Sequence, residues 1–395
     1  MRIRVGHYMD ELFAPGGIGS YIRRLATAQV QRGYEVYLFG KDAKDQEVSG
    51  TNLVRVIKTT DLADVVRRHQ LDVLHMHTIV ELGDLRGLPN LLRTHHGHHA
   101  YCVSGSQYLS RWREPCLRSF SPSACLKSHF LDRCGSIRPR EIYGGFRRVY
   151  SERRSQSHVK MIAISEFAKL RMTGAGYPAA KIKVVLNPAP VFSTLETRAA
   201  PEEPTFIFLG RLVPGKGIRT IIHAAPMTSP EVRFKILGSG PEKKSLVQLA
   251  EQLGVAERFT WIDWVSSEEE VIKHIGAATA VLFPSIWQEP AGLVLLEAAA
   301  AGRPVIASKV GGIPEYAEKL QHAVLVAPGD PKMLASAIAS LIDDAELARR
   351  LGQEGGNQIA GGTLSMESHL QELEEIYLVG INSGAQPKRA AASPL

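Results

Sequence analysis

Short apolar runs alternate along this chain with stretches whose apolar positions recur every three or four residues. That alternation is the pattern of parallel strands joined by amphipathic helices. A first strand is predicted over 3–7, and a glycine-rich turn, Gly16-Gly17-Ile18-Gly19, leads into a helix over 20–31. Gly33 ends that helix with positive φ before a strand over 35–39. Strands over 72–75, 91–94 and 161–164 follow, and Ser165 is placed to cap a helix over 166–173.

The alternation restarts after the proline-rich stretch 188–204, which reads as an interdomain linker. Strands are predicted over 205–209, 233–237, 259–262, 280–283, 304–307 and 323–326, with helices over 217–225 and 243–253 between them. Two βα-repeating halves predict an α/β fold of two facing Rossmann-like domains. Ligands of such sheets sit at the carboxyl ends of the strands, so the interdomain cleft is the expected site. The predicted boundaries are 1–195, with an insertion at 98–158, then 196–365, a last helix over 366–380 and a disordered tail over 381–395.

Composition narrows the class. A chain of 395 residues fits two domains, and 44% hydrophobic with 22% charged residues suits a soluble enzyme. No apolar run approaches the roughly 20 residues needed to span a bilayer. The chain opens into a strand without a basic-then-apolar leader, so a cytoplasmic location is expected. The net charge of +7 leaves two readings open: a mildly basic surface, or attraction to anionic lipid or a phosphorylated substrate. Arginines 111, 113, 118, 138, 140, 147, 148, 153 and 154 cluster in the insertion. No recognition module accompanies them, which argues against nucleic acid.

The candidate chemistry lies in the glycine turns. Gly16–Gly19 is not a G-x-G-x-x-G, and no acid ends the strand at Phe39, which argues against a dinucleotide. Gly210-Arg211-Leu212-Val213-Pro214-Gly215-Lys216-Gly217 places two cations between a strand and a helix. They suit a diphosphate; solvated surface cations are the alternative. Glu289 and Glu297 bracket Pro290-Ala291-Gly292-Leu293. Ionised carboxylates only accept hydrogen bonds and so suit sugar and ribose hydroxyls. Spacing alone would leave them unrelated, but Pro284-Ser285 ends the preceding strand and Gly292 permits close backbone approach at a helix N-terminus.

Together with Gly238-Ser239-Gly240-Pro241 and Gly311-Gly312-Ile313-Pro314-Glu315, these motifs resemble the retaining GT-B glycosyltransferases of glycosyltransferase family 4, or group 1. The specific set spans 205–330, with weaker matches at 16–19, 94–97, Ser165 and Asn187-Pro188. The resemblance implies a hexosyl-type transferase moving a sugar with retention from a UDP- or GDP-sugar to a hydroxyl acceptor. It implies that Arg211 and Lys216 hold the donor diphosphate, Glu297 the ribose and Glu289 the transferred sugar. Backbone N–H groups of Ala291, Gly292 and Leu293 would complete the pocket, with Gly17 and Gly238 close to the donor and Val265 meeting the base. Thr94 and His96 match a Thr-x-His-Gly pattern that reaches the sugar. The acceptor would lie on the N-terminal domain, to which the last helix returns. Front-face attack in an ion-pair-like transition state is implied, with cations and no catalytic metal stabilising the leaving diphosphate; no Asp-x-Asp motif is present. The glutamates would orient hydroxyls, so a pH–rate profile need not report either.

The acceptor is left open. The family and the basic balance favour cell-surface polysaccharide or glycolipid synthesis, with a lipid-linked acceptor and peripheral contact at the inner membrane face. A small soluble acceptor such as an antibiotic or cyclitol is the alternative, and an epimerase or hydrolase on the same fold is another. His75, His77, His95, His98 and His99 read as structural. Cys102, Cys116, Cys125 and Cys134 crowd the insertion, and free thiols, a structural zinc and disulfides all stay open for them.

Overall fold

The computed structural model describes residues 2–14, 16–43, 47–88, 90–190, 203–265, 267–362 and 364–383. The N-terminal half contains strands β1 (Arg4–Tyr8), β2 (Glu35–Gly40), β3 (Asn52–Arg55), β4 (Val73–Met76) and β5 (Leu91–His95). A small hairpin of β6 (Tyr108–Leu109) and β7 (Glu114–Pro115) follows, then β8 (Lys160–Ala163) and β9 (Ile182–Val184). Apart from the hairpin they form one parallel sheet in the order β3-β2-β1-β4-β5-β8-β9. The C-terminal half contains β10 (Thr205–Leu209), β11 (Arg233–Leu237), β12 (Phe259–Ile262), β13 (Ala280–Phe283), β14 (Val305–Ser308) and β15 (Ala323–Val326). These make a second parallel sheet in the order β12-β11-β10-β13-β14-β15.

Central strands covered by helices on both faces read as unbroken apolar runs, and Phe206, Ile207 and Phe208 are completely buried. Strand order reverses between β1 and β4 in one sheet and between β10 and β13 in the other. A crevice opens outside the carboxyl ends of the strands at such a reversal, and the segments after β10 and β13 are those that carry the candidate motifs.

Several boundaries differ from expectation. The first helix runs Gly17–Gln31, so Gly17, Ile18 and Gly19 form its first turn instead of a loop ahead of it. The last helix runs Met366–Ser383, past the predicted end at 380, and lays Leu370, Leu373 and Tyr377 into the N-terminal core. Most of the predicted linker (191–202) and most of the predicted tail (384–395) lie outside the described residues. No helix among the described residues is long and apolar enough to cross a membrane.

The insertion builds the hairpin and two helices, Pro122–Leu131 and Pro139–Ser155. Several of its arginines are engaged: Arg147 meets both carboxylate oxygens of Glu81 at 2.5 and 2.8 Å, and Arg118 pairs with Asp132 at 2.7 Å. All four cysteines are free thiols. Burial and then the neighbouring Cys102, Cys116 and Cys125 thiols push the Cys134 thiol up to about 12, with Ser104 opposing.

Candidate active site

The turn after β10 brings Lys216 back toward the end of β13. Gly217 makes this possible: its φ is +74°, and a Cβ there would lie 1.9 Å from the Pro284 carbonyl oxygen. Lys216 Nζ meets Glu289 Oε1 at 2.7 Å, and the Ser285 hydroxyl donates to the same oxygen at 2.5 Å. The ammonium also lies 5.3 Å from the Trp287 ring and 5.6 Å from that of Phe283. Glu289 is 5% exposed. A buried carboxylate is tolerated because it is paired and hydrogen-bonded.

The backbone of Glu289 is fixed from the other side. Gly312 N–H donates to its carbonyl at 2.7 Å, and Gly311 N–H donates to Gln288 Oε1 at 3.1 Å. Gly311 has φ +57°, and a Cβ there would sit 2.1 Å from the Glu289 carbonyl oxygen. The Gly-Gly-Ile-Pro-Glu turn is therefore a support for the glutamate loop. Glu315 of that turn accepts from Glu166 N–H at 2.8 Å, and Ser165, the helix cap, donates to the Pro290 carbonyl at 2.6 Å. Both contacts join the two domains beside the site.

Gly292 caps the helix Leu293–Ala300, with Ala291 buried behind it. Leu293 sits against Gly17, where a Cβ would be 2.8 Å from its Cδ1. Glu297 lies within this helix, partly buried, and its carboxylate makes no hydrogen bond among the described residues. Burial raises it to about 7, with Arg24 opposing and Glu268 adding to the rise. Arg24 comes from the first helix and pairs with Glu268 at 2.8 Å, so the N-terminal domain contributes to the field at Glu297.

The N-terminal side carries a histidine network with one consistent proton arrangement. Gln29 Oε1 can only accept, so His7 donates from Nε2 at 2.7 Å, leaving its Nδ1 to accept from His77 Nε2 at 3.0 Å. His77 Nδ1 then accepts from His96 Nε2 at 3.0 Å. Burial holds His7 to about 4 and His96 to about 3, and pushes His77 well below its ordinary value, so the chain is neutral. His96 is left with Nδ1 as its remaining acceptor. His75 bonds Tyr377 at 2.8 Å and Thr94 at 2.7 Å. Ring nitrogens of His7, His75 and His77 lie within 4.8 Å of one another, a spacing that suits a metal. Every nitrogen of the three already has a protein partner, so the group is a proton network.

Lys216, Glu289, Ala291, Gly292 and Leu293 thus form one cluster, with Gly17 against it. Arg211 is exposed in the turn after β10 and makes no ion pair among the described residues. Gly238 lies against the Gly210 carbonyl beside it, and Val265 packs on the C-terminal core. His96 bonds His77 and neither Lys216 nor Glu289. Three contributors escape a reading of the sequence. His98, expected to be purely structural, donates to the Gln288 carbonyl of the opposite domain at 2.6 Å and stacks edge-on with Trp287. Trp287 presents a buried indole N–H without a partner, and Ser285 braces Glu289. For Ser285 and Trp287 the signal available was their position in the same loop as Glu289; His98 had none.

Comparison with known proteins agrees with this architecture. Residues 195–358 match the family model for glycosyl transferases group 1. The D-inositol 3-phosphate glycosyltransferase of Nocardia farcinica is 27% identical over 96% of this chain and 90% of its own length. A GDP-mannose-dependent alpha-(1-6)-phosphatidylinositol monomannoside mannosyltransferase of Mycobacterium tuberculosis is 30% identical over 49% of this chain and 54% of its own. Among solved structures, Anabaena HepE in complex with UDP-glucose superposes with a TM-score of 0.70 at 17% identity, covering 96% of this chain and all of that one.

Proposed function

We propose that this chain, a group 1 glycosyltransferase of the GT-B fold, transfers a hexosyl unit with retention from a nucleotide-diphosphate sugar to a hydroxyl acceptor. The Lys216–Glu289–Ser285 cluster, set at the strand-order reversal of the C-terminal sheet with Arg211 beside it, carries the reading. The donor diphosphate displaces Glu289 from Lys216 and recruits Arg211, and the freed carboxylate accepts hydrogen bonds from the sugar hydroxyls. N–H groups at the start of the Leu293–Ala300 helix face the developing negative charge. His96 Nδ1 accepts from a hydroxyl of the same sugar, and Val265 flanks the base. Leaving-group charge is stabilised by preorganised cations, which is where such groups contribute most to rate.

The mannosyltransferase relative supports a glycolipid or cell-surface polysaccharide role, and the basic, aromatic insertion suits peripheral contact with the cytoplasmic membrane face. The Nocardia relative, matched over nearly its whole length, supports a small cyclitol acceptor as the second reading. A thermal-shift screen against UDP-, GDP- and ADP-sugars tests the donor assignment. The preferred donor raises the melting temperature by mass action, and no shift with any of them overturns the proposal. Product analysis with donor alone separates transfer from epimerisation: a changed sugar configuration in the absence of acceptor would favour an epimerase.

Glu297 adds a pH signature. Ribose hydroxyls donate, so the ionised carboxylate binds them and the protonated form does not. Because the free protein holds Glu297 at about 7, donor affinity rises as pH rises through that value. Glu297→Gln removes the dependence. A wild-type donor Kd that stays flat from about pH 6 to 8 would show that Glu297 does not meet the donor in this way.

A further inference from the structure

We propose that the insertion docks on an anionic phospholipid surface through one face built by the helices Pro122–Leu131 and Pro139–Ser155. The proposal rests on the peripheral contact suggested above and gives that contact a surface, a lipid charge and a set of side chains. Residues 111–154 contain eleven Lys/Arg and four Asp/Glu, a surplus equal to the whole net charge of +7. The rest of the chain is balanced, so the basic character belongs to this one segment.

The charge is also ordered in space. In the helix Pro139–Ser155, Arg140, Tyr143, Arg147, Tyr150 and Arg154 recur at i, i+3, i+7, i+10 and i+14, a single stripe about 20 Å long. All five are exposed, Tyr143 to 69%, while Ile142, Gly145 and Val149 on the opposite side are buried. Arg147 is tied to Glu81, and Arg140 and Arg154 make no ion pair among the described residues.

The shorter helix turns polar residues inward. Ser128 and His129 are buried, whereas Leu126 and Phe130, one turn apart, are 45% and 57% exposed, with Lys127 exposed between them. That is the reverse of a helix whose apolar side faces a core. Phe120, just ahead of it, stacks edge-on with Tyr150 at 5.8 Å and Phe146 at 6.3 Å, so the apolar helix borders the stripe. At its far end Trp112, also 57% exposed, donates to Asp132 at 3.0 Å. Half of the sixteen large apolar side chains exposed among the described residues fall within 112–150. Such a concentration marks a contact surface.

One occupant meets both kinds of group. A nucleic acid would pair with the arginines and leave Leu126, Phe130 and Trp112 in water. An apolar protein partner would bury Arg140 and Arg154 without counter-charge. An anionic bilayer offers phosphates at the level of the arginine heads and acyl carbon just beneath, where the apolar and aromatic side chains enter. Docking is linked to the cleft: Arg148 donates to His99 Nδ1 at 2.6 Å, and the turn His98–Ala100 packs on the same helix. The segment with His96 and His98 is thereby held beside the bilayer, where a lipid-linked acceptor would be presented.

Full-length protein without donor is co-sedimented with two vesicles, phosphatidylcholine alone and equal parts phosphatidylcholine and phosphatidylglycerol. Partitioning onto the anionic vesicle should be stronger by about tenfold or more, and should fall as salt is raised. Arg140→Gln with Arg154→Gln should weaken binding and flatten its salt dependence. Leu126→Gln with Phe130→Gln should weaken binding and keep the salt dependence. These side chains face water, so melting temperatures should hold, and either double variant tests the face by itself. Equal binding to both vesicles overturns the anionic surface, and binding to neither removes membrane contact altogether. Anionic binding untouched by both double variants overturns this face and leaves peripheral contact standing. Retention on immobilised duplex DNA at a salt concentration that releases the vesicles gives the face another occupant and overturns the proposal, as does a solution dimer that both variants break. With donor absent throughout, none of these outcomes touches the transferase reading.

Discussion

Lys216→Ala is expected to lower kcat by about 10²–10³-fold, the loss typical of removing one preorganised charge from a transition state. In the proposed reaction the leaving diphosphate gains negative charge as the glycosidic bond breaks, and Lys216, held between the Trp287 ring and Glu289, is the cation assigned to it. Its side chain is 18% exposed, so its field is less screened than that of a surface lysine. The substitution also strips Glu289 of its ion pair, leaving Ser285 as partner, so a lower melting temperature accompanies the kinetic loss. Arg211→Ala separates the two effects. That side chain is exposed and makes no ion pair among the described residues, so its removal should leave the melting temperature unchanged while kcat falls. Single-turnover rates at saturating donor, measured beside thermal melts, decide the matter. Full turnover in both variants would remove the diphosphate assignment.

The strands most legible in the sequence were those carrying a mostly apolar run, the two edge strands of the C-terminal sheet included. Thr205–Leu209, Arg233–Leu237, Phe259–Ile262, Ala280–Phe283 and Ala323–Val326 fall where the apolar runs put them. The edge strands Asn52–Arg55 and Ile182–Val184 went unread because Asn52, Arg55 and Lys183 are exposed, leaving no continuous apolar run. Glycines add nothing to an apolar period, which hid the first turn of the helix at Gly17–Gln31. The same distinction governs the site. Lys216 and Glu289 were readable because each sits in a local motif. The His98–Gln288 bond and the Gln29–Tyr377 contact join residues far apart in the chain, and the packing of Met366–Ser383 against the N-terminal sheet has no local signature. Nor does the spacing of Glu289 and Glu297 show that burial brings Glu297 to about 7.

Glu152→Ala is expected to destabilise the protein by about 3–5 kcal/mol, the range for leaving one member of a buried ion pair without its partner. Arg93 and Glu152 are both fully buried and bonded to each other, and Arg93 also donates to the Val80 carbonyl at 3.0 Å. His95 Nε2 lies 3.2 Å from the second carboxylate oxygen. Burial alone would raise the Glu152 carboxyl, but Arg93 and then His95 outweigh it, and its pKa lies below the ordinary carboxylate value. A depressed carboxyl contributes stability that is fully present above its unfolded pKa, about 4.3, and is lost as pH falls through the folded value. Acid unfolding of the wild type should therefore reflect Glu152, and the variant should show a smaller loss over that window. Replacing both partners by apolar residues, Arg93→Met with Glu152→Leu, should recover much of the loss, because no charge is then stranded. Arg93 and His95 lie on the strand that leads to His96, so Glu152→Ala should also weaken donor binding by loosening that strand end. Denaturant midpoints for Arg93→Met, Glu152→Leu and the double variant give the coupling directly. A single-variant loss below about 1 kcal/mol, the scale of an exposed pair, would mean that the pair is solvated and contributes little to the fold.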